Sequence, residues 1–490
     1  MALFTDLPDE LVACLLQHIV RPHHLALVSL VNKHFYASAV PLLYKRISIF
    51  AWHKGSKIKA TKVLETLADC PTLARYVKRL GRHNLWIHTF DLTVQVEVRD
   101  FPKSILQRIE GRNEEILNAC LRGIRNCVNL QACVWTRDGT LNSAILEELS
   151  KCPRLDSLEI NGKHTYSFDP LLLLNFHQLR RLQIIMPSGE VIKVVPSLLI
   201  GSSNTLESLS LICRSSPLVT NDFLASISQS LLSLRNLSLA GCTKVTHEGI
   251  KHVLRVCGHG LQELSLEALS PSFDLNDLKE YCVSKAVLRA LESVTLSMPI
   301  EKINGKWFTQ VDSLLSLSEI RAFHLYATGT RSSSSPIVTL DETFLKSFIT
   351  HHRRSLTRMA VLRFPLTLSG LRTIVNCGTE LEELFITLKR TDFATSASIL
   401  SSASKLRSLH ITVPVQYTFD EEEEEHQFEG DLRQFVGQLS PTVRQFGVLT
   451  RVWRVERRPV KQADGSVQLA VDLAPYESPD IPGIFLVIRT

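Results

Sequence analysis

The sequence predicts an α/β fold in which a small N-terminal helical unit precedes a solenoid, a horseshoe of coils with parallel strands on its concave face. Three observations carry that expectation: a leucine excess, one apolar pattern that recurs along most of the chain, and amphipathic stretches between its occurrences. About 75 of the 490 residues are leucine, whereas Gly (21) and Pro (20) are sparse. Hydrophobic residues make up 44% and charged residues 21%, a balance that builds a core and excludes a disordered or collagen-like chain.

The recurring pattern places apolar residues at positions 1, 4 and 6. It reads Leu130/Cys133/Trp135, Leu155/Leu158/Ile160, Leu179/Leu182/Ile184, Leu206/Leu209/Leu211, Leu234/Leu237/Leu239 and Leu261/Leu264/Leu266. It continues as Leu291/Val294/Leu296, Ile320/Phe323/Leu325, Leu356/Met359/Val361, Leu381/Leu384/Ile386, Leu406/Leu409/Ile411 and Val443/Phe446/Val448. Start-to-start spacings are 25, 24, 27, 28, 27, 30, 29, 36, 25, 25 and 37 residues. Positions 4 and 6 share one face of an extended strand, because side chains alternate with period 2. Between strands, residues 222–232, 246–256 and 366–375 carry apolar residues at helical spacing. One short strand plus one helix per unit is the leucine-rich repeat.

Cysteines precede position 1 in several units: Cys70 before Leu73, Cys127 before Leu130, Cys152 before Leu155, Cys257 before Leu261 and Cys377 before Leu381. A free cysteine behaves as a small buried apolar residue and closes a helix end against the next strand. Residues 234–266, LRNLSLAGCTKVTHEGIKHVLRVCGHGLQELSL, resemble the cysteine-containing subtype of these repeats. Residues 69–80 read as an irregular leading unit, since terminal units of an array are atypical.

At the N-terminus, TDLPDELVACLL starts a helix at about Pro8, with Asp9 and Glu10 complementing its positive end. A second helical pattern runs through Leu25, Leu27, Val28, Leu30, Val31 and Phe35, and a third short one lies around Leu42 and Leu43. So much leucine in so small a unit leaves a surplus for a partner. LPDELVACLLQHI followed by HLALVSLVNKHFYASAVPLLYKRI is similar to the F-box, over about residues 3–47. That resemblance implies contact with a Skp-type adaptor, linked in turn to a cullin scaffold. Matched residue by residue, it implies that Leu7, Pro8, Leu11, Leu15, Ile19, Leu25, Leu27, Leu30, Val31 and Phe35 carry the contact. Arg21-Pro22-His23-His24 departs from the acidic turn more usual in that family.

The expected organisation is therefore a helical module at 3–47, an irregular linker and leading repeat at 48–126, the repeats at 127–449, and a C-terminal cap at 450–490. In the cap, residues 444–461 and 467–473 form a hairpin around Asp464-Gly465. The acidic run from Asp420 to Glu425 reads as a solvated loop.

A net charge of +6 is too small for a chain of this length to imply nucleic-acid binding. No run of apolar residues is long enough for a membrane span, and the acidic first ten residues do not read as a secretory signal, so cytoplasmic or nuclear residence is expected. His247 and His252 are five residues apart, about 140° around a helix, where His-Glu-x-x-His needs four. With no Gly-x-Ser-x-Gly and no phosphate loop, no catalytic residue, metal or cofactor is expected.

Positions 3, 5 and 7 of each strand project from the core onto the concave wall. They supply Ser157, Ser208, Ser210, Asn236, Ser238, Ser265, Ser293 and Thr295 in the first half. Later they supply His324, Tyr326, Arg358, Phe385 and His410, the residue types that dominate binding hot spots, and target contact is expected there. The resemblance and the wall together imply a non-catalytic substrate receptor of a cullin-type ubiquitin ligase, its protein target unidentified. The alternative is a repeat scaffold that binds partners without assembling a ligase.

Overall fold

The computed structural model describes residues 8–19, 21–50, 56–83, 110–136, 139–164, 167–329, 339–413, 432–449, 451–461 and 466–476. Leu7, the run 420–425 and the turn at 464–465 lie outside them.

Three helices open the chain: α1 (Asp9–Leu16), α2 (Pro22–Ser29) and α3 (Lys33–Lys45). Pro22 stands at the first position of α2, where its missing N–H costs nothing. The second apolar pattern does not run on to Phe35 as one helix. Asn32 turns extended and its side chain accepts the Phe35 N–H at 2.9 Å, so Phe35 belongs to α3. Val12, Leu16, Leu25 and Ala39 form a small core of their own, flanked by Ile19, Val28, Phe35, Leu42 and Leu43.

A single sheet follows, its strands side by side in chain order. Its first eight are β1 (Arg46–Phe50), β2 (Arg79–His83), β3 (Ala132–Trp135), β4 (Ser157–Asn161), β5 (Arg181–Ile185), β6 (Ser208–Thr220), β7 (Asn236–Lys244) and β8 (Glu263–Glu267). The remainder are β9 (Ser293–Pro299), β10 (Ala322–Thr328), β11 (Arg358–Pro365), β12 (Glu383–Thr387), β13 (Ser408–Thr412), β14 (Gln445–Val448), β15 (Arg451–Lys461) and β16 (Val467–Pro475). Neighbours from β1 to β14 pair in parallel, and β14, β15 and β16 turn antiparallel. The sheet is open, with β1 and β16 at its ends.

Register follows the apolar pattern. Leu158 sits beside Leu182, Leu182 beside Leu209, and Leu209 beside Leu237, so position 4 forms one buried column. A single continuous core runs from Leu67 to Val455. No coil could bury its leucines alone; each is covered by the coil before and after it. Asn142, Ser188, Thr220, Thr246, Asn304, Asp341 and Thr367 cap the helices, each side chain accepting a first-turn N–H. Cys257 and Cys127 are buried, Cys152 and Cys377 half-buried, and the Cys257 thiol donates to the Val253 carbonyl one turn back.

The sheet starts well before residue 127. Arg46 pairs with Arg79 and Arg79 with Ala132, so two further coils precede the twelve read from the pattern. In the second of these Val77, not Leu73, occupies position 1, two residues before its strand, and Leu80 occupies position 4. β1 spans the point where the helical module was expected to end, and α3 leads directly into it.

Candidate functional site

The helical head divides its apolar residues between two tasks. On α1, Val12 and Leu16 face inward, whereas Leu11 is 51% and Leu15 48% exposed, one helical turn apart on a single stripe. At α2 and its end, Leu27 is 51%, Leu30 80% and Val31 64% exposed, and Tyr36 of α3 is exposed too. Pro8 precedes α1 and is exposed. Three residues matched to the adaptor contact lie elsewhere: Leu25 is buried in the head's own core, and Ile19 and Phe35 are half-buried against it. They hold the helices together, because three short helices need some of their leucines to pack on one another at all.

The concave wall requires a correction. His324, Tyr326, Phe385 and His410 are buried, Tyr326, Phe385 and His410 to 1% exposure, and Arg358 is half-buried and held by Glu383 at 2.6 Å. They are not exposed anchors for a target. Strands about 4.8 Å apart bring large outward side chains into contact with one another. Tyr326, Ala360, Leu362 and Phe385 form a second apolar cluster, with Val452 of β15 packed on it. The Tyr326 hydroxyl donates to the fully buried Glu267 carboxylate, which also accepts from the Ser265 hydroxyl. The strand between carries only Ser297 beside Tyr326. Thr295 Oγ1 and His324 Nδ1 are 3.0 Å apart. His410 Nε2 donates to the Leu449 carbonyl at 2.8 Å, and its ring lies where a Cβ on Gly447 would stand 2.0 Å from Nδ1. Glycine at 447 thus leaves the space that the His410 ring occupies. Burial pulls the His410 imidazole down to about 4. In the first half the wall stays open: Ser157, Ser208, Asn236, Ser238, Ser265, Ser293 and Thr295 are half-buried, and only Ser210 is buried.

A row that the apolar pattern conceals is position 2, immediately after the first leucine. Its backbone forms a ladder from coil to coil: Lys78 N–H donates to Lys45 O (3.0 Å), Gln131 to Lys78, Asp156 to Gln131, Arg180 to Asp156, Glu207 to Arg180 and Arg235 to Glu207. Further on, Gln262, Glu292, Arg321, Thr357, Glu382, Arg407 and Arg444 continue it. Side chains along this row alternate in sign over the middle of the solenoid, with ion pairs at Arg180–Glu207 (2.6 Å), Glu292–Arg321 (3.4 Å) and Glu382–Arg407 (3.4 Å). Its first two members are both lysines. Residues 21–83 hold twelve Lys and Arg against Glu65 and Asp69 alone, so they carry more than the whole chain's +6. Counting charge in windows rather than over the full length finds this from sequence.

His247, Glu248 and Asp277 bring a nitrogen and two carboxylates within 4.8 Å of one another. Positive charge is already supplied there by Lys251, whose Nζ lies 2.6 Å from Asp277 and 3.0 Å from Glu248 and holds the Asp277 carboxyl below its ordinary range. His247 Nδ1 accepts the Asp274 N–H at 3.1 Å, leaving Nε2 to carry the proton it directs at Asp277, 2.9 Å away. This is an ion-pair network at the start of a helix, and it uses up the lone pair a metal would need. Among the described residues, no helix is long and apolar enough to cross a membrane.

Coils of one strand and one helix on a shared core, with open loops at both rims, define a leucine-rich-repeat solenoid, an architecture that presents surfaces to other macromolecules. No family model and no curated protein sequence matches the chain. Among solved structures, the chain is similar to the yeast Rad7 and Elc1 complex, with 15% identity, a TM-score of 0.37, and coverage of 72% of this chain and 94% of that one. It is also similar to the leucine-rich repeat-containing protein LegL7 of Legionella pneumophila, with 12% identity, a TM-score of 0.35, and coverage of 72% and 96%.

Proposed function

We propose that this chain is the non-catalytic target-binding subunit of a cullin-type ubiquitin ligase, resident in the cytoplasm or nucleus. The observation that carries the reading is the head: a unit whose sequence resembles the F-box leaves Leu11, Leu15, Leu27, Leu30 and Val31 exposed on α1 and α2, beside a small core of its own. Apolar residues at helical spacing, left uncovered, suit a groove on a Skp-type adaptor. The solenoid then holds a protein target on its open, hydroxyl-rich first half, around Ser208, Asn236 and Ser238. Ubiquitin transfer gains from proximity alone, since tethering raises the effective concentration of the target at the enzyme.

Co-purification of the tagged full chain with a Skp-type adaptor and a cullin tests this. The wild-type chain is expected to retain both, and Leu11→Asp with Leu30→Asp to retain neither. Failure of the wild-type chain to retain the adaptor overturns the reading, and retention of the adaptor without a cullin replaces it with the scaffold.

A further inference from the structure

Between β6 and β7 two thiols meet at the point where the ladder joining the strands slips. The register is regular from Ser208 beside Asn236 to Ile212 beside Ala240, then jumps to Ser216 beside Cys242. Three residues of β6, Cys213, Arg214 and Ser215, therefore stand against the single residue Gly241 in a bulge. Gly241 has φ +67°, and a Cβ there would lie 2.1 Å from the Cys213 carbonyl oxygen, so the close approach requires glycine. In an unbroken ladder Cys242 would pair with Arg214 and point away from Cys213, because side chains alternate along a strand. The bulge turns it inward instead. Cys242 is fully buried, Cys213 is buried beside it, and the two sulfurs are 3.8 Å apart.

The Cys242 S–H donates to the Cys213 sulfur, which holds the Cys213 thiol below its ordinary range and pushes Cys242 up. Other thiols of the core lack such a donor: burial pushes Cys127, Cys257 and Cys282 up to about 12, which keeps them unreactive. Arg214 and Ser215, which follow Cys213, are exposed, so its sulfur lies at the edge of the core and not at its centre.

We infer that Cys213 and Cys242 are a peroxide-sensitive modification site that closes reversibly into an intrachain disulfide. The Cys213 thiolate attacks one oxygen of hydrogen peroxide, the O–O bond breaks, and hydroxide leaves to take up the proton that Cys213 released, giving water and a sulfenic acid. The Cys242 sulfur then displaces the sulfenic oxygen. An S–S bond forms, and that oxygen departs as a second water with the Cys242 proton. Two electrons pass from the sulfur pair to the peroxide. The sulfurs close from 3.8 Å to about 2 Å, a movement the irregular backbone of the bulge can take up. The bond encloses residues 213–242 and ties two successive coils together covalently.

Peptide mapping of the folded full chain tests the site. Trypsin cuts after Lys193, Arg214, Arg235 and Lys244, so peptides 194–214 and 236–244 each carry one of the two cysteines and no other. After brief treatment with hydrogen peroxide under native conditions, then alkylation and digestion, the two peptides are expected to be joined, two hydrogens lighter than their free sum. Dithiothreitol is expected to separate them. Oxidation of the exposed Cys14 shows that the oxidant was sufficient. The wild-type map decides the pair, and two variants decide the order of attack. In Cys242→Ser the sulfenic acid has no resolving thiol, and dimedone is expected to label Cys213. In Cys213→Ser, Cys242 is expected to remain a thiol. Both peptides alkylated while Cys14 is oxidised, either cysteine joined to a different partner, or dimedone on Cys242 in Cys213→Ser overturns the inference.

Discussion

The head and the later half of the concave wall both carry large apolar side chains off their main frameworks, and the two sets meet opposite fates. Leu11, Leu15, Leu27, Leu30 and Val31 stay between 48% and 80% exposed, whereas Tyr326 and Phe385 are 1% exposed. Helix stripes on α1 and α2 diverge from their small core, so a residue on the far side of either helix has no covering element among the described residues. A parallel sheet gives each outward side chain two neighbours at strand spacing, and where those are Ala360 and Leu362 the row closes over itself. Exposure of an apolar side chain is thus set by what stands beside it, and of these two regions the head is the one that keeps a surface of the kind a partner groove recognises.

Among single substitutions, one in the wall should produce the largest effect. Phe385→Ala removes a buried ring from the second cluster and should cost about 3–5 kcal/mol in denaturant unfolding. A cost under about 1 kcal/mol would show that the wall is open and erase the contrast.

Acidification comes next and again acts on the repeats. His352 and His410 are each brought down to about 4 by burial, from 6.5. The unfolded chain therefore binds more protons than the folded one between pH 6.5 and pH 4. Stability held above pH 6.5 is lost as the pH falls through that window, by on the order of 3 kcal/mol per histidine at about 1.4 kcal/mol per unit. Denaturant midpoints measured across this range check it, and a flat profile would mean that the rings are solvated.

The smallest effect is expected in the head. Leu11→Asp and Leu30→Asp should each change stability by no more than about 0.5 kcal/mol, because neither side chain is buried. Loss of cooperative unfolding in either variant would place these residues in a core and remove the basis for the adaptor contact.

Much of this architecture is legible in the residues. Leucines at positions 1, 4 and 6 locate the strands from β3 to β14, since only a stacked strand rewards that spacing. The second leading coil escapes the pattern because Arg82 holds position 6, where the later strands carry an apolar residue. Asn32 breaks α2 from α3 through a local hydrogen bond that periodicity does not register. In the head, the leucine stripe is readable, but the separation of buried Leu25 from exposed Leu27 depends on how α2 sits on α3.

The sequence by itself determined the period, and with it the inward columns, because strand alternation and helical spacing act over a few residues. Tertiary structure decided the outward rows. Whether Phe385 is a surface anchor or a buried ring, and whether Lys45 meets an acid or another lysine, depends on residues a full coil away, and only the register of the sheet brings them side by side.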